Sequence, residues 1–128
     1  MDSKIVIVDD EVHIRALLEQ SLEELEEDHG VEILSAENGQ EGLEVIKEAR
    51  PGLVLLDIMM PMMNGYDVCK SIREDPDLSD VKVILLTAKG QEADRERGVE
   101  VGATRYMTKP FDPDELLEIA REMLGLTA

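Results

Sequence analysis

The sequence is poor in aromatics: two tyrosines, one phenylalanine and no tryptophan among 128 residues. A core must therefore come from Leu, Ile, Val, Met and Ala, and an apolar fraction of 43% is enough to build one. Cysteine occurs once, at Cys69, which excludes a disulfide framework and a multi-cysteine metal site. Cys69 is expected to be half-buried on a helix beside Val68 and Ile72. Basic residues are scarce, 13 Lys and Arg against 30 Asp and Glu, for a net charge of -17. That balance argues against binding nucleic-acid phosphates or an anionic membrane surface, and favours metal cations and basic protein surfaces as partners. No apolar run reaches transmembrane length and no secretory leader opens the chain, so a cytoplasmic location is expected. There is no internal repeat or linker, and the length suits one domain.

What is present is an alternation of two hydrophobic periods. Lys4–Val8 and Leu53–Asp57 read as buried strands, as do the runs over 31–35, 81–87 and 104–108. Between them the spacing predicts helices. One carries Ile14, Leu17, Leu18, Leu22 and Leu25 on its inner face, the next Leu43, Ile46 and Ala49, and a third Val68, Cys69 and Ile72. A weaker, highly charged helix is expected over 91–101, interrupted by Gly98. Asp112 caps a last helix, with Pro113 at its first position, Glu115 at its third, and Leu116, Ala120, Met123 and Leu124 inward. Five strands alternating with five helices predict an α/β fold: a single doubly wound (βα)5 domain over 1–128. Its parallel five-stranded sheet takes the order 2-1-3-4-5, with helices on both faces.

The excess of carboxylate is not spread evenly. The first strand runs into Asp9, Asp10 and Glu11, the third ends on Asp57, the fourth on Thr87, and the fifth on Lys109. In the predicted order the first and third strands are neighbours, so three carboxylates converge with a hydroxyl and an ammonium beside them. Like charges at one buried place need compensation. Three hard oxygen donors suit Mg2+ or Mn2+. A carboxylate beside such an ion can attack phosphorus, while the ion, Lys109 and Thr87 stabilise the charge on the transferred group. Acids where a nucleotide-binding loop would present amides argue against a Rossmann or P-loop protein. His13 and His29 read as surface residues, and Met59 to Met63 as a hinge-like apolar loop rather than thioether ligands.

As a set, "IVIVDDE", "LVLLDIMMPMMNGYDVCKSIRE", "VILLTAKG" and "GATRYMTKPFDPDELL" resemble the receiver domain of two-component response regulators, over nearly the whole chain. The resemblance implies that Asp57 is the phosphorylation site, accepting a phosphoryl group from a histidine kinase or a histidine phosphotransfer protein. It implies Mg2+ (or Mn2+) held by Asp10 directly, Asp9 largely through water, Asp57, and the backbone carbonyl of Met59. Thr87 and Lys109 would engage the phosphoryl group. Tyr106 matches the switch aromatic that responds to Thr87, and the Lys109–Pro110 bond would be cis. Phosphorylation would bias the surface of the fourth helix, fifth strand and fifth helix toward a downstream effector. Met59 and Lys89 occupy the two places flanking the approach of hydrolytic water. Neither suits positioning that water, which implies a long-lived phosphorylated state.

The resemblance thus implies a phosphorelay signalling domain rather than an enzyme, one that catalyses only its own phosphorylation and dephosphorylation, with no output domain in the chain. A Mg-dependent aspartyl-phosphate phosphatase is one rival, although Met59 stands where such enzymes often carry a second aspartate. A flavodoxin would need aromatics the chain lacks. An interaction module that is never phosphorylated is a third.

Overall fold

The computed structural model describes residues 3–60, 62–88, 100–109 and 111–126. Five parallel strands form one sheet: β1 (Lys4–Val8), β2 (Glu32–Ala36), β3 (Leu53–Asp57), β4 (Lys82–Ala88) and β5 (Arg105–Lys109), in the order β2-β1-β3-β4-β5. The predicted fold and strand order are those observed. β2, β4 and β5 each start one residue later than the apolar runs suggest. The helices among the described residues are α1 (Val12–Ser21), α2 (Glu23–His29), α3 (Gly39–Ala49), α4 (Gly65–Glu74) and α5 (Pro113–Met123), with a 3-10 turn at Pro76–Leu78. Of the helix expected over 91–101, residues 91–99 lie outside the described residues, as do Lys89 and Pro110.

Alternation along the strands divides the core. Val6, Val8, Val54, Leu56, Val83 and Leu85 face α3 and α4, meeting Ile46, Val68, Cys69 and Ile72. Ile5, Ile7, Leu53, Leu55, Ile84 and Leu86 face the other way, onto Leu18, Leu22, Leu25, Leu116, Ile119 and Ala120. Each such Leu or Ile, fully buried, stabilises the fold by about 1.5–3 kcal/mol before entropy is counted. Cys69 is fully buried, not half-buried as expected.

Helix starts follow their caps. Asn38 accepts a hydrogen bond from the Glu41 amide (2.8 Å), Asn64 from that of Asp67 (3.0 Å) and Asp112 from that of Asp114 (2.9 Å). The first helix departs from expectation. It breaks at Leu22, and Leu17 is 42% exposed. The Ser21 hydroxyl donates to the Leu17 carbonyl four residues back (2.7 Å), a bond that competes with the helical ladder and bends it. Leu18, Leu22 and Leu25 then supply the buried stripe without Leu17.

α4 also fastens the start of β5. The Arg73 guanidinium donates to the carbonyls of Gly102 and Val81, both at 2.7 Å, and to the Thr104 hydroxyl at 3.2 Å. The Cys69 thiol donates to the Val101 carbonyl at 3.3 Å. The opposite, carboxyl end of the sheet carries the acids.

Candidate functional site

Strand register brings the predicted residues to one edge. Val8 pairs with Leu56, so Asp9 emerges level with Asp57, the last residue of β3. Asp57 pairs with Leu86, Thr87 with Thr108, and Ala88 with Lys109. Carboxylate oxygens of Asp9, Asp10 and Asp57 lie within 4.8 Å of one another. Asp9, Asp57 and Thr87 are buried, while Asp10 is exposed. Lys109 reaches into the cluster: its Nζ is 3.0 Å from Asp9 Oδ2 and 3.2 Å from Asp57 Oδ1.

Asp9 is held at each backbone and side-chain polar position. Its amide donates to the Ala36 carbonyl (3.2 Å), its carbonyl accepts from Arg15 Nη1 (2.7 Å), Oδ1 accepts from the Glu11 amide (2.9 Å), and Oδ2 accepts from Lys109. The Asp57 carboxylate meets Lys109 and accepts a long 3.4 Å bond from the Met59 amide. Burial, and next the Asp9 charge, push the Asp57 carboxyl up to about 6, while Lys109 and the Met59 amide pull it down. Burial works against the Lys109 ammonium, but the Asp57 and Asp9 charges outweigh it and hold its pKa above the ordinary lysine value.

The loop after β3 separates its methionines. Met60 is buried and Met63 half-buried, whereas Met59 is 62% exposed and Met62 more so. Gly65 lets α4 approach this loop: a Cβ there would lie 2.5 Å from the Asp57 carbonyl oxygen. Tyr106, half-buried, pairs with Leu85 and packs against the α3–α4 side of the core. His13 and His29 are exposed.

A sequence model of the response regulator receiver domain matches residues 5–121. The chain belongs to the response regulator receiver domain family. This receiver domain is 46% identical over 121 residues to a probable transcriptional regulator, ycf27, of Pyropia yezoensis, covering 94% of this chain and 47% of that protein. It is 42% identical over 123 residues to the phosphate regulon transcriptional regulatory protein PhoB of Pseudomonas aeruginosa, covering 96% and 52%. The receiver thus spans about half the length of the curated relatives it matches. A solved structure of a putative response regulator from Chloroflexus aurantiacus is similar with a TM-score of 0.86 and 31% identity, over 98% of this chain and 99% of that one. The rival reading as a phosphatase receives no support from these relatives.

Sequence reasoning missed Arg15, whose guanidinium meets the backbone of Asp9 rather than a side chain. It also missed that Lys109 contacts two carboxylates. The one available signal was spacing: Arg15 sits one helical turn after Glu11, facing back toward the strand.

Proposed function

We propose that this receiver accepts a phosphoryl group on Asp57 in a Mg2+- or Mn2+-dependent reaction, from a histidine kinase or a histidine phosphotransfer protein. The observation that carries the reading is the meeting of three carboxylates, within 4.8 Å of one another, with an ammonium bridging two of them. An all-oxygen donor set with surplus negative charge fits a hard divalent cation. Asp10, exposed, would ligate it directly, with Asp57, the Met59 carbonyl, and Asp9 through water. When bound, the ion supplies charge neutralisation for the phosphoryl oxygens.

Even without metal the Asp57 carboxyl is pushed up only to about 6, so at neutral pH it is ionised and can act as the nucleophile. Its carboxylate oxygen forms a bond to phosphorus as the phosphorus–nitrogen bond of the donor's phosphohistidine breaks. The released electron pair returns to the imidazole, which takes up a proton. Lys109 and the Thr87 hydroxyl stabilise the charge on the transferred oxygens. Thr87 and Tyr106 then carry the change to the segment expected to be helical over 91–101, to β5 and to α5, where a downstream effector reads it. Matched relatives are transcriptional regulators, which favours transcription as the output. The domain acts in the cytoplasm, as a signalling module that catalyses only its own phosphorylation and dephosphorylation. Its charge of -17 disfavours direct contact with nucleic acid or membrane.

Acetyl phosphate with Mg2+ should add one phosphoryl group by intact mass, and Asp57→Asn should abolish the addition. An unchanged adduct in the variant overturns the assignment.

A further inference from the structure

The three carboxylates of the cluster are not equally supported. Lys109 and the Glu11 amide hold that of Asp9, and Lys109 and the Met59 amide hold that of Asp57. The Asp10 carboxylate is exposed and has no hydrogen bond or ion pair among the described residues. Its direction must come from the backbone on either side.

Both flanking peptides are fixed. The peptide joining Asp10 to Glu11 is held through its N–H, which donates to Asp9 Oδ1 at 2.9 Å. The peptide joining Asp9 to Asp10 is held through its C=O, which accepts from Arg15 Nη1 at 2.7 Å. A peptide unit is planar, so fixing its oxygen fixes the orientation of the next Cα. Arg15 itself is anchored in the first turn of α1, its amide donating to the Glu11 carbonyl at 3.1 Å. Its guanidinium therefore spans from the helix back to the last carbonyl before Asp10. A charge-assisted bond from a planar, preorganised donor suits this better than a flexible ammonium.

We infer that Arg15 is a positioning residue that aims the Asp10 carboxylate at the cation site by fixing the peptide plane between Asp9 and Asp10. The inference rests on the proposed metal-dependent function and adds a residue to it. Groups that orient metal ligands from behind are worth about 10- to 100-fold in metal affinity.

The sign of the effect separates positioning from charge. Arg15 is a cation beside an acidic site. If it acted only through its charge, its removal would tighten Mg2+ binding. If it aims Asp10, removal weakens binding. The test is calorimetric titration of Mg2+ into the parent, Arg15→Ala and Arg15→Lys proteins. Arg15→Ala should raise the Mg2+ Kd about tenfold. Alanine is the better helix former, so the metal-free melting temperature should stay close to the parent's. Arg15→Lys, with charge but no fork, should bind between the two. Hydrogen exchange at the Glu11 amide should quicken in metal-free Arg15→Ala. Equal or tighter Mg2+ binding by Arg15→Ala overturns the inference while leaving the proposed function standing. A parent that binds no Mg2+ overturns both.

Discussion

Lys109 Nζ sits 3.2 Å from Asp57 Oδ1, yet the Asp57 carboxyl is still pushed up to about 6. The lysine is one charge shared between two buried acids, and burial with the Asp9 charge outweighs it. Asp57 therefore opposes folding once ionised.

The sign of the pH dependence follows. Below 3.8 both folded and unfolded chains hold the Asp57 proton. Between 3.8 and about 6 the unfolded chain releases it first, so stability falls as pH rises, by about 3 kcal/mol in total without metal. Asp57→Asn should remove this share. Urea unfolding of metal-free proteins at pH 4 and pH 7 should show the variant gaining on the parent as pH increases. A constant difference between the two would contradict the assigned shift.

Mg2+ in large excess should stabilise the parent by roughly 1–3 kcal/mol, because it binds the native cluster and not the unfolded chain. Asp10→Asn removes one repelling charge together with one ligand. Metal-free Asp10→Asn should melt above the parent and stop responding to Mg2+. Thermal melts with and without the ion check both halves, and a lower metal-free melting point in the variant counts against repulsion within the cluster.

Phosphate loss should be slow. Met59 has no strong hydrogen-bonding group, and its exposed side chain leaves water beside Asp57 without a partner to orient it. Charged Lys89 accepts no proton from water. Met59→Asn with Lys89→Glu should quicken decay of the phosphorylated form by about one to two decades, equivalent to about 1.4–2.7 kcal/mol of barrier. Intact mass over time after donor removal measures it, and an unaltered lifetime in the double variant refutes this account.

Gly65→Ala should cost about 1–3 kcal/mol in urea unfolding, since the added methyl meets the Asp57 carbonyl at 2.5 Å and backbone must shift to admit it. Phosphorylation should slow as well, because the displaced backbone is that of the acceptor. A variant of parental stability and rate would mean the loop yields easily.

The sheet was legible because the central strands are apolar runs and four of the five strands deliver a distinctive polar residue at the carboxyl end: Asp9, Asp57, Thr87 and Lys109. Lys4–Val8 and Leu53–Asp57 matched residue for residue, whereas β4, which also lies in the sheet interior, starts one residue late. β2, β4 and β5 shifted by one because ladder pairing, not hydropathy, decides where a strand starts. The placing of Asp9, Asp10, Asp57, Thr87 and Lys109 along one sheet edge followed from strand order alone. Arg15 and Gly65 did not show, because each acts on a backbone atom brought near by tertiary folding, and the spacing of Arg15 from Glu11 does not by itself say which atom that is. Leu17 was misplaced because the periodicity assumed a straight helix, while the Ser21 back-bond turns the chain.

The one cysteine of the protein lies sealed on the inner face of α4, its thiol on the Val101 carbonyl and pushed up to about 11. Almost none of it is thiolate at neutral pH, and none of it meets solvent in the folded state. Alkylation must wait for an opening that parts α4 from Val101 and the core around it. The chain thus contains a built-in clock: labelling of Cys69 times how often the packing around α4 opens, with no residue changed.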